Sequence, residues 1–259
     1  MDNKKYYERF DWKSANLSEK ISVKIISLLK IMPHDVSTIA DIGCGDGSIT
    51  NVLSKNFRVY AIDRSLNALK FVTTDKLQAS ADFISLKTRS VDLVFSSEMI
   101  EHLPDDVYSK AISEFGRIAR NYIMLTFPDD ENISKNFVEC INCKTIFNKS
   151  YHLRTLNKKN IIKEFPDFEI IDTFKIGSLI RPYNKFLSKI KHNFCPSDSW
   201  IPLHWTPDGR RSTMCPNCDT SFEIPYKFNL LSFLCDSTNT LISAKRPYQI
   251  CVLLKRKND

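Results

Sequence analysis

Glycine is scarce in this chain, with six in 259 residues, and long apolar runs are missing altogether. The best candidate, Ile21 to Ile31, is broken by Ser22, Lys24, Ser27 and Lys30. A membrane-spanning helix needs about 20 apolar residues, so no span and no membrane partner are expected. The segment Met1-Asp2-Asn3-Lys4-Lys5-Tyr6-Tyr7 is polar and lacks the apolar core of a signal peptide, which points to a soluble, cytoplasmic protein. In that compartment the eight cysteines argue against a disulfide framework. Apolar and charged fractions of 42% and 26% are ordinary for globular chains, so wholesale disorder is not expected either.

Charge is unevenly spread. Residues 1–143 hold 18 Lys+Arg against 20 Asp+Glu, and residues 144–259 hold 19 against 10, so the excess of +7 belongs to the carboxyl-terminal part. Either this is a solvated basic surface, or the part that chooses the substrate faces something anionic, such as a nucleotide or phosphate group.

Apolar residues at Leu17, Ile21, Ile25, Leu28 and Leu29 recur at helical spacing, up to a stop near Met32-Pro33. Strands are expected at 38–42, 57–62, 91–95 and 122–127, alternating with helices at 48–55, 66–71 and 105–119. This alternation predicts a Rossmann-like α/β fold: a seven-stranded, mostly parallel sheet with helices on both faces. Beyond Pro128, a helix at 157–165 and strands at 168–174 and 248–254 continue the sheet. Residues 129–150 and 177–246 read as insertions, the second with little periodicity beyond a helix around Tyr183 to Ile190. The expected organisation is a ligand-binding core at 1–128, a substrate lid from the two insertions, and the remainder of the sheet at 151–176 and 247–259.

Three of the six glycines lie at positions 43, 45 and 47, where a strand passes into a helix. Such a turn aims free backbone N–H groups at a polar ligand. Asp41 precedes the first glycine by two residues, and Asp63 ends the next strand, where a carboxylate commonly accepts from ribose hydroxyls. Asp63 could also cap the helix starting near Ser65. A dinucleotide-binding dehydrogenase would carry its third glycine at position 48, which is serine.

Asp41-Ile42-Gly43-Cys44-Gly45-Asp46-Gly47 resembles instead the first motif of class I S-adenosylmethionine-dependent methyltransferases. Ser80-Ala81-Asp82-Phe83 is similar to their adenine-contacting segment, and residues 90–103, ending in Glu101-His102-Leu103, to their fourth-strand motif. The likeness spans residues 36–128. It implies S-adenosylmethionine as cofactor, with Asp41 and the turn Gly43, Cys44, Gly45 and Gly47 on its methionine moiety. It further implies Asp63 on the ribose, Asp82 and Phe83 around the adenine, and an amino-terminal aromatic, Tyr6 or Tyr7, closing over it. Arg64, Ser97 and Glu98 complete the expected set.

Methyl transfer to oxygen gains from a positioned base. His102, on the cofactor side of the sheet, and His152, in Tyr151-His152-Leu153-Arg154, are the candidates. Arg154 suits a substrate phosphate or carboxylate, and His204 enters from the long insertion. His34 and His192 offer no rationale.

Cys140-Ile141-Asn142-Cys143-Lys144-Thr145-Ile146-Phe147 and Cys215-Pro216-Asn217-Cys218-Asp219-Thr220-Ser221-Phe222 form a small internal repeat. Two Cys-x-x-Cys knuckles offer four thiolates to a structural zinc ion, in the manner of a zinc ribbon. Redox disulfides or unconnected thiols are the alternatives. The glycine usual after each second cysteine is replaced by Lys144 and Asp219, so that turn must tolerate a bulkier residue.

The expectation is therefore a methyltransferase acting on a small, anionic acceptor such as a nucleotide-linked sugar or surface-polysaccharide precursor. RNA or protein methylation, or a non-catalytic module retaining the fold, are the alternatives. The basic residues are dispersed, without the aromatic interleaving that binds single strands, which weighs against RNA.

Overall fold

A computed structural model describes residues 4–10, 12, 19–203 and 211–257; His204 lies outside them. Along the chain run α1 (Lys4–Arg9), α2 (Glu19–Lys30), β1 (Thr38–Ile42), α3 (Thr50–Leu53), β2 (Arg58–Asp63), α4 (Leu66–Leu69) and β3 (Asp75–Gln78). Next come β4 (Val91–Ser97), α5 (Asp105–Ile118), β5 (Ala119–Pro128), β6 (Phe137–Glu139), β7 (Ile146–Asn148) and α6 (Lys158–Glu164). The last are β8 (Phe168–Ile180), α7 (Lys185–Phe194), β9 (Ser212–Met214), β10 (Ser221–Glu223), α8 (Leu230–Ile242) and β11 (Arg246–Arg256). Two compact units result, a larger one from Lys4–Asp129, Leu156–Ser178 and Pro247–Asp259, and a smaller one from Asp130–Thr155 and Leu179–Arg246.

The larger unit is the expected α/β fold. Its seven strands lie in the order β3-β2-β1-β4-β5-β11-β8. The pairs β1–β2, β1–β4, β2–β3 and β4–β5 are parallel, and β11 runs antiparallel to β5. Successive strand residues point to opposite faces, so one strand feeds two cores. Ile123, Leu125 and Phe127 join Ile250, Val252 and Leu254 beneath α5 and α6, where Ala111, Ile112, Phe115 and Ile161 are buried. Tyr122, Met124, Cys251 and Leu253 face the opposite way, toward Leu28 and Met32 at the end of α2. α5 is the best formed helix. Asp105 and Asp106 in its first turn and Arg117 in its last suit the helix dipole, and its buried residues recur at helical spacing.

The chain turns back on either side of β1, which has β2 on one flank and β4 on the other. In an open parallel sheet this is the point where ligands bind, beyond the carboxyl ends of the strands. Some elements differ from expectation. The edge strand β3, Asp-Lys-Leu-Gln, is mostly exposed and carries no apolar alternation to announce it. α3 and α4 are four residues each, shorter than expected, and β8 runs on to Ile180.

In the smaller unit, β6–β7 and β9–β10 are antiparallel hairpins. The edge of Phe147 meets Phe222, 6.4 Å between centroids, and the Tyr151 hydroxyl donates to Met214 O at 2.9 Å. The long insertion holds two helices rather than one. α7 is capped by the Asn184 side chain, which accepts from the Phe186 and Leu187 N–H groups. α8 was not expected, and it packs inside out. Its buried residues are Ser232, Cys235 and Asn239. Ser232 Oγ donates to Ser199 O (2.7 Å), while Asp236 accepts from Lys191 Nζ (2.6 Å) and the Tyr183 hydroxyl (2.8 Å).

Candidate active site and four-cysteine cluster

The glycine turn is shaped by backbone that other residues cannot follow cheaply. Gly43, Gly45 and Gly47 have φ of 76°, 55° and 77°. A Cβ on Gly43 would meet Met99 Cγ at 2.3 Å, and one on Gly45 would meet the Trp12 ring at 3.1 Å. Gly43 N donates to Ile62 O at 2.7 Å, which locks the turn to the end of β2. Asp63 then accepts from the N–H of Gly45 (2.9 Å) and of Ser65 (2.8 Å). The cap of α4 is Ser65 itself, whose side chain accepts from Ala68 N. Asp63 is thus held at the turn by one bond to each oxygen, and it retains lone pairs for a ligand.

Asp41 is buried and accepts a 2.5 Å bond from the Thr50 hydroxyl. Burial pushes its carboxyl up to about 7; Thr50 and Lys24 pull down and the Asp63 charge pushes further up. Burial likewise raises Asp63, against the pull of the Ser65 and Gly45 N–H groups, and drives the Cys44 thiol upward. A carboxyl in that condition accepts its negative charge readily only when a cation arrives.

Around the turn stand groups from distant parts of the larger unit. Glu98, at φ 53°, follows β4 directly. Thr126 Oγ1 lies between Ser97 Oγ (2.9 Å) and Glu98 Oε1 (3.1 Å). Lys24, from α2, reaches Glu98 Oε1 at 3.5 Å and donates to Gln249 at 3.3 Å. The Tyr7 hydroxyl is 3.3 Å from His102 Nδ1, Trp12 stacks on Tyr7, and Asn67 donates to Glu8 O at 2.8 Å, fastening α1 to α4. Arg64 accepts from Gln78 through its carbonyl, at 3.1 Å. Asp82 is half-buried, and Phe83 is 76% exposed in the turn after β3.

The structure therefore gathers Tyr7, Asp41, the glycine turn, Asp63, Ser97, Glu98 and His102 at one edge of one sheet. Lys24, Trp12, Thr50 and Gln249 join them although sequence reasoning missed them; no motif contains them, and only Trp12, an amino-terminal aromatic like Tyr7, carried a readable signal.

His152 and Arg154 belong to the smaller unit. His152 is buried, and its Nδ1 is hydrogen-bonded to Glu131, whose other oxygen lies 3.7 Å from Lys135 Nζ. Glu131 was also missed, since a pairing across 21 residues leaves no mark in sequence. Arg154 is half-buried.

All four paired cysteines converge: their sulfurs lie within 4.8 Å of one another, and none forms a disulfide. Cys140–Cys218 and Cys143–Cys215 are each 3.6 Å apart. Four sulfurs at 2.3 Å from a tetrahedral zinc would be separated by about 3.8 Å, so the cluster fits the ion. The two knuckles are near copies. Lys144 N donates to Cys140 O and Asp219 N to Cys215 O, with φ of 61° at Lys144 and 56° at Asp219. Asn142 Nδ2 reaches Cys218 Sγ and Thr220, while Asn217 Nδ2 reaches Cys143 Sγ and Thr145. The Thr145 hydroxyl beside Cys143 brings that thiol down to about 5, in the thiolate range at neutral pH.

An open α/β sheet with a glycine turn and two carboxylates at its switch point has the arrangement in which such sheets bind ligands. Residues 40–122 match the profile of a family described as a methyltransferase domain. The match covers 83 of the 259 residues, and over that stretch the chain is similar to a methyltransferase domain. Solved structures share the fold. An S-adenosylmethionine-dependent methyltransferase of Archaeoglobus fulgidus aligns with TM-score 0.52 and 13% identity over 91% of this chain and 94% of its own. One from Methanosarcina mazei aligns with TM-score 0.52 and 13% identity over 90% and 98%. A protein of Pyrococcus horikoshii aligns with TM-score 0.53 and 17% identity over 67% and 94%. No curated protein matches the chain in sequence.

Proposed function

We propose that this enzyme methylates an oxygen of a small anionic acceptor, such as a nucleotide-linked sugar or a surface-polysaccharide precursor. The observation that carries the cofactor assignment is Asp41, a buried carboxyl raised to about 7 beside three positive-φ glycines. That pairing fits the cationic methionine end of S-adenosylmethionine. Asp63 suits the ribose hydroxyls, and exposed Phe83 with Asp82 suits the adenine. When bound, the cofactor supplies a methyl group already activated on a sulfonium.

The protein's own part is to orient and to take a proton. His102 shares a contact with Tyr7 in the cofactor-binding unit, which supports it as the base. The Glu131 contact favours a second reading, with His152 in that role and Glu131 holding its ring. Replacing each histidine by alanine separates the two: the base lowers kcat about 10²–10⁴-fold with little change in cofactor affinity. An unchanged turnover number in the double variant overturns both.

The smaller unit carries 13 Lys+Arg against 8 Asp+Glu, which supports an anionic acceptor, with Arg154 as a phosphate or carboxylate partner. Its four cysteines hold a structural zinc ion in this reading, and the unit serves as the lid that selects the acceptor. Methyl-labelled S-adenosylmethionine incubated with size-fractionated cell extract tests the substrate class. Label in small molecules supports the reading; label confined to RNA or protein overturns it.

A further inference from the structure

α8 exposes the face a soluble helix normally hides. Leu230 is 62% exposed, Phe233 52%, Leu241 86% and Ile242 59%, while its polar residues Ser232 and Asn239 are turned inward and bonded. Phe228 just before it and Phe186 on α7 are also exposed, at 63% and 70%. Inward polar bonds fix this orientation, so the apolar face is built in rather than incidental. Apolar patches of such size mark an interaction surface.

The charges at its borders identify the partner. Lys227 and Lys245 stand exposed before and after α8, and Lys189 is exposed on α7, where Lys185 is paired with Asp130 at 3.9 Å. α7 contains no acidic residue, and the single one of α8, Asp236, is occupied by Lys191 and Tyr183. These two helices therefore present apolar side chains and ammonium groups with no free carboxylate among them. A second copy would bring the same positive charge against itself. RNA would stack on flat rings, whereas five of the six exposed large apolar residues of α8 itself, Leu230, Leu231, Leu234, Leu241 and Ile242, are aliphatic. An anionic lipid surface satisfies both halves: the apolar side chains enter the boundary region and the lysines meet the headgroups. No helix among the described residues is long and apolar enough to cross a membrane, so the contact is peripheral.

We propose that the exposed face of α8, with its flanking lysines, docks the enzyme onto an anionic bilayer surface. The inference is independent of which acceptor is methylated. Sedimentation of the full chain with phosphatidylcholine vesicles, with and without phosphatidylglycerol, tests it. Expected is binding to the anionic vesicles alone, weakened by salt. The double variant Phe233→Ser, Leu241→Ser should reduce it about tenfold or more while cofactor affinity stays unchanged. Lys227→Gln with Lys245→Gln should weaken binding without touching the apolar face. Equal binding to neutral vesicles, or none to either, overturns the proposal. So does a dimer in light scattering that Leu241→Ser dissociates, which would make the face a self-interface.

Discussion

At the residue scale, the role proposed for Asp41 makes cofactor binding depend on pH. Its carboxyl is raised from 3.8 to about 7, so the folded state binds a proton the unfolded state does not between those values. Its contribution to stability is fully present below pH 3.8 and is lost as pH rises through about 7, on the order of 4 kcal/mol in all. Asp41→Asn should therefore melt higher than the parent above neutrality and yet bind S-adenosylmethionine poorly. Parent affinity should fall about tenfold per pH unit below 7, because binding draws on the ionised form. Calorimetric titration across that range checks both; a flat profile removes Asp41 from the cation's surroundings. Asp63→Ala should weaken cofactor binding by about 1.5–3 kcal/mol, read in the same titration, for each charge-assisted bond lost.

Among the elements, the knuckles make a sharper prediction. Lys144 occupies the left-handed region at φ 61°, which costs a side-chain-bearing residue roughly 1–2 kcal/mol. Lys144→Gly should raise the melting temperature of the smaller unit, and Asp219→Gly should do so less, since aspartate tolerates that region. A loss of stability in both would mean that the side chains matter more than the turn.

Legibility followed the same logic of distance. Asp41, the glycine turn and Asp63 were readable because β1, the turn and β2 are contiguous, so spacing alone places them. The Cys-x-x-Cys repeat was readable because each half carries its own turn. Lys24 beside Glu98 is a pairing 74 residues apart, and nothing near either announces it. α8 escaped notice because its inward stripe is polar, Ser232, Cys235 and Asn239, the reverse of the pattern a helix search seeks. β3 escaped because an exposed edge strand need not alternate.

At the scale of the whole molecule, two units imply two stabilities. The larger rests on a continuous apolar sheet core, while the smaller is joined by short hairpins and four thiols. With zinc on the four thiols, as proposed, a chelator should lower the unfolding temperature of the smaller unit and leave cofactor binding in the larger one largely intact. Differential scanning calorimetry with a cofactor titration reads both; simultaneous collapse of the two would contradict that division. Less than half an equivalent of metal in native protein would remove the zinc.

The smaller unit is assembled from two separate stretches, and that has a temporal side. Cys143 and its neighbour across the cluster, Cys215, are 72 residues apart. At a synthesis rate of about 5–20 residues per second, the first thiol pair waits roughly 4–14 s for the second. Through that interval the nascent chain carries a dithiol whose partners are not yet made, as ready to trap an oxidant as a metal. Birth of this enzyme is therefore more exposed to oxidative stress than its mature form.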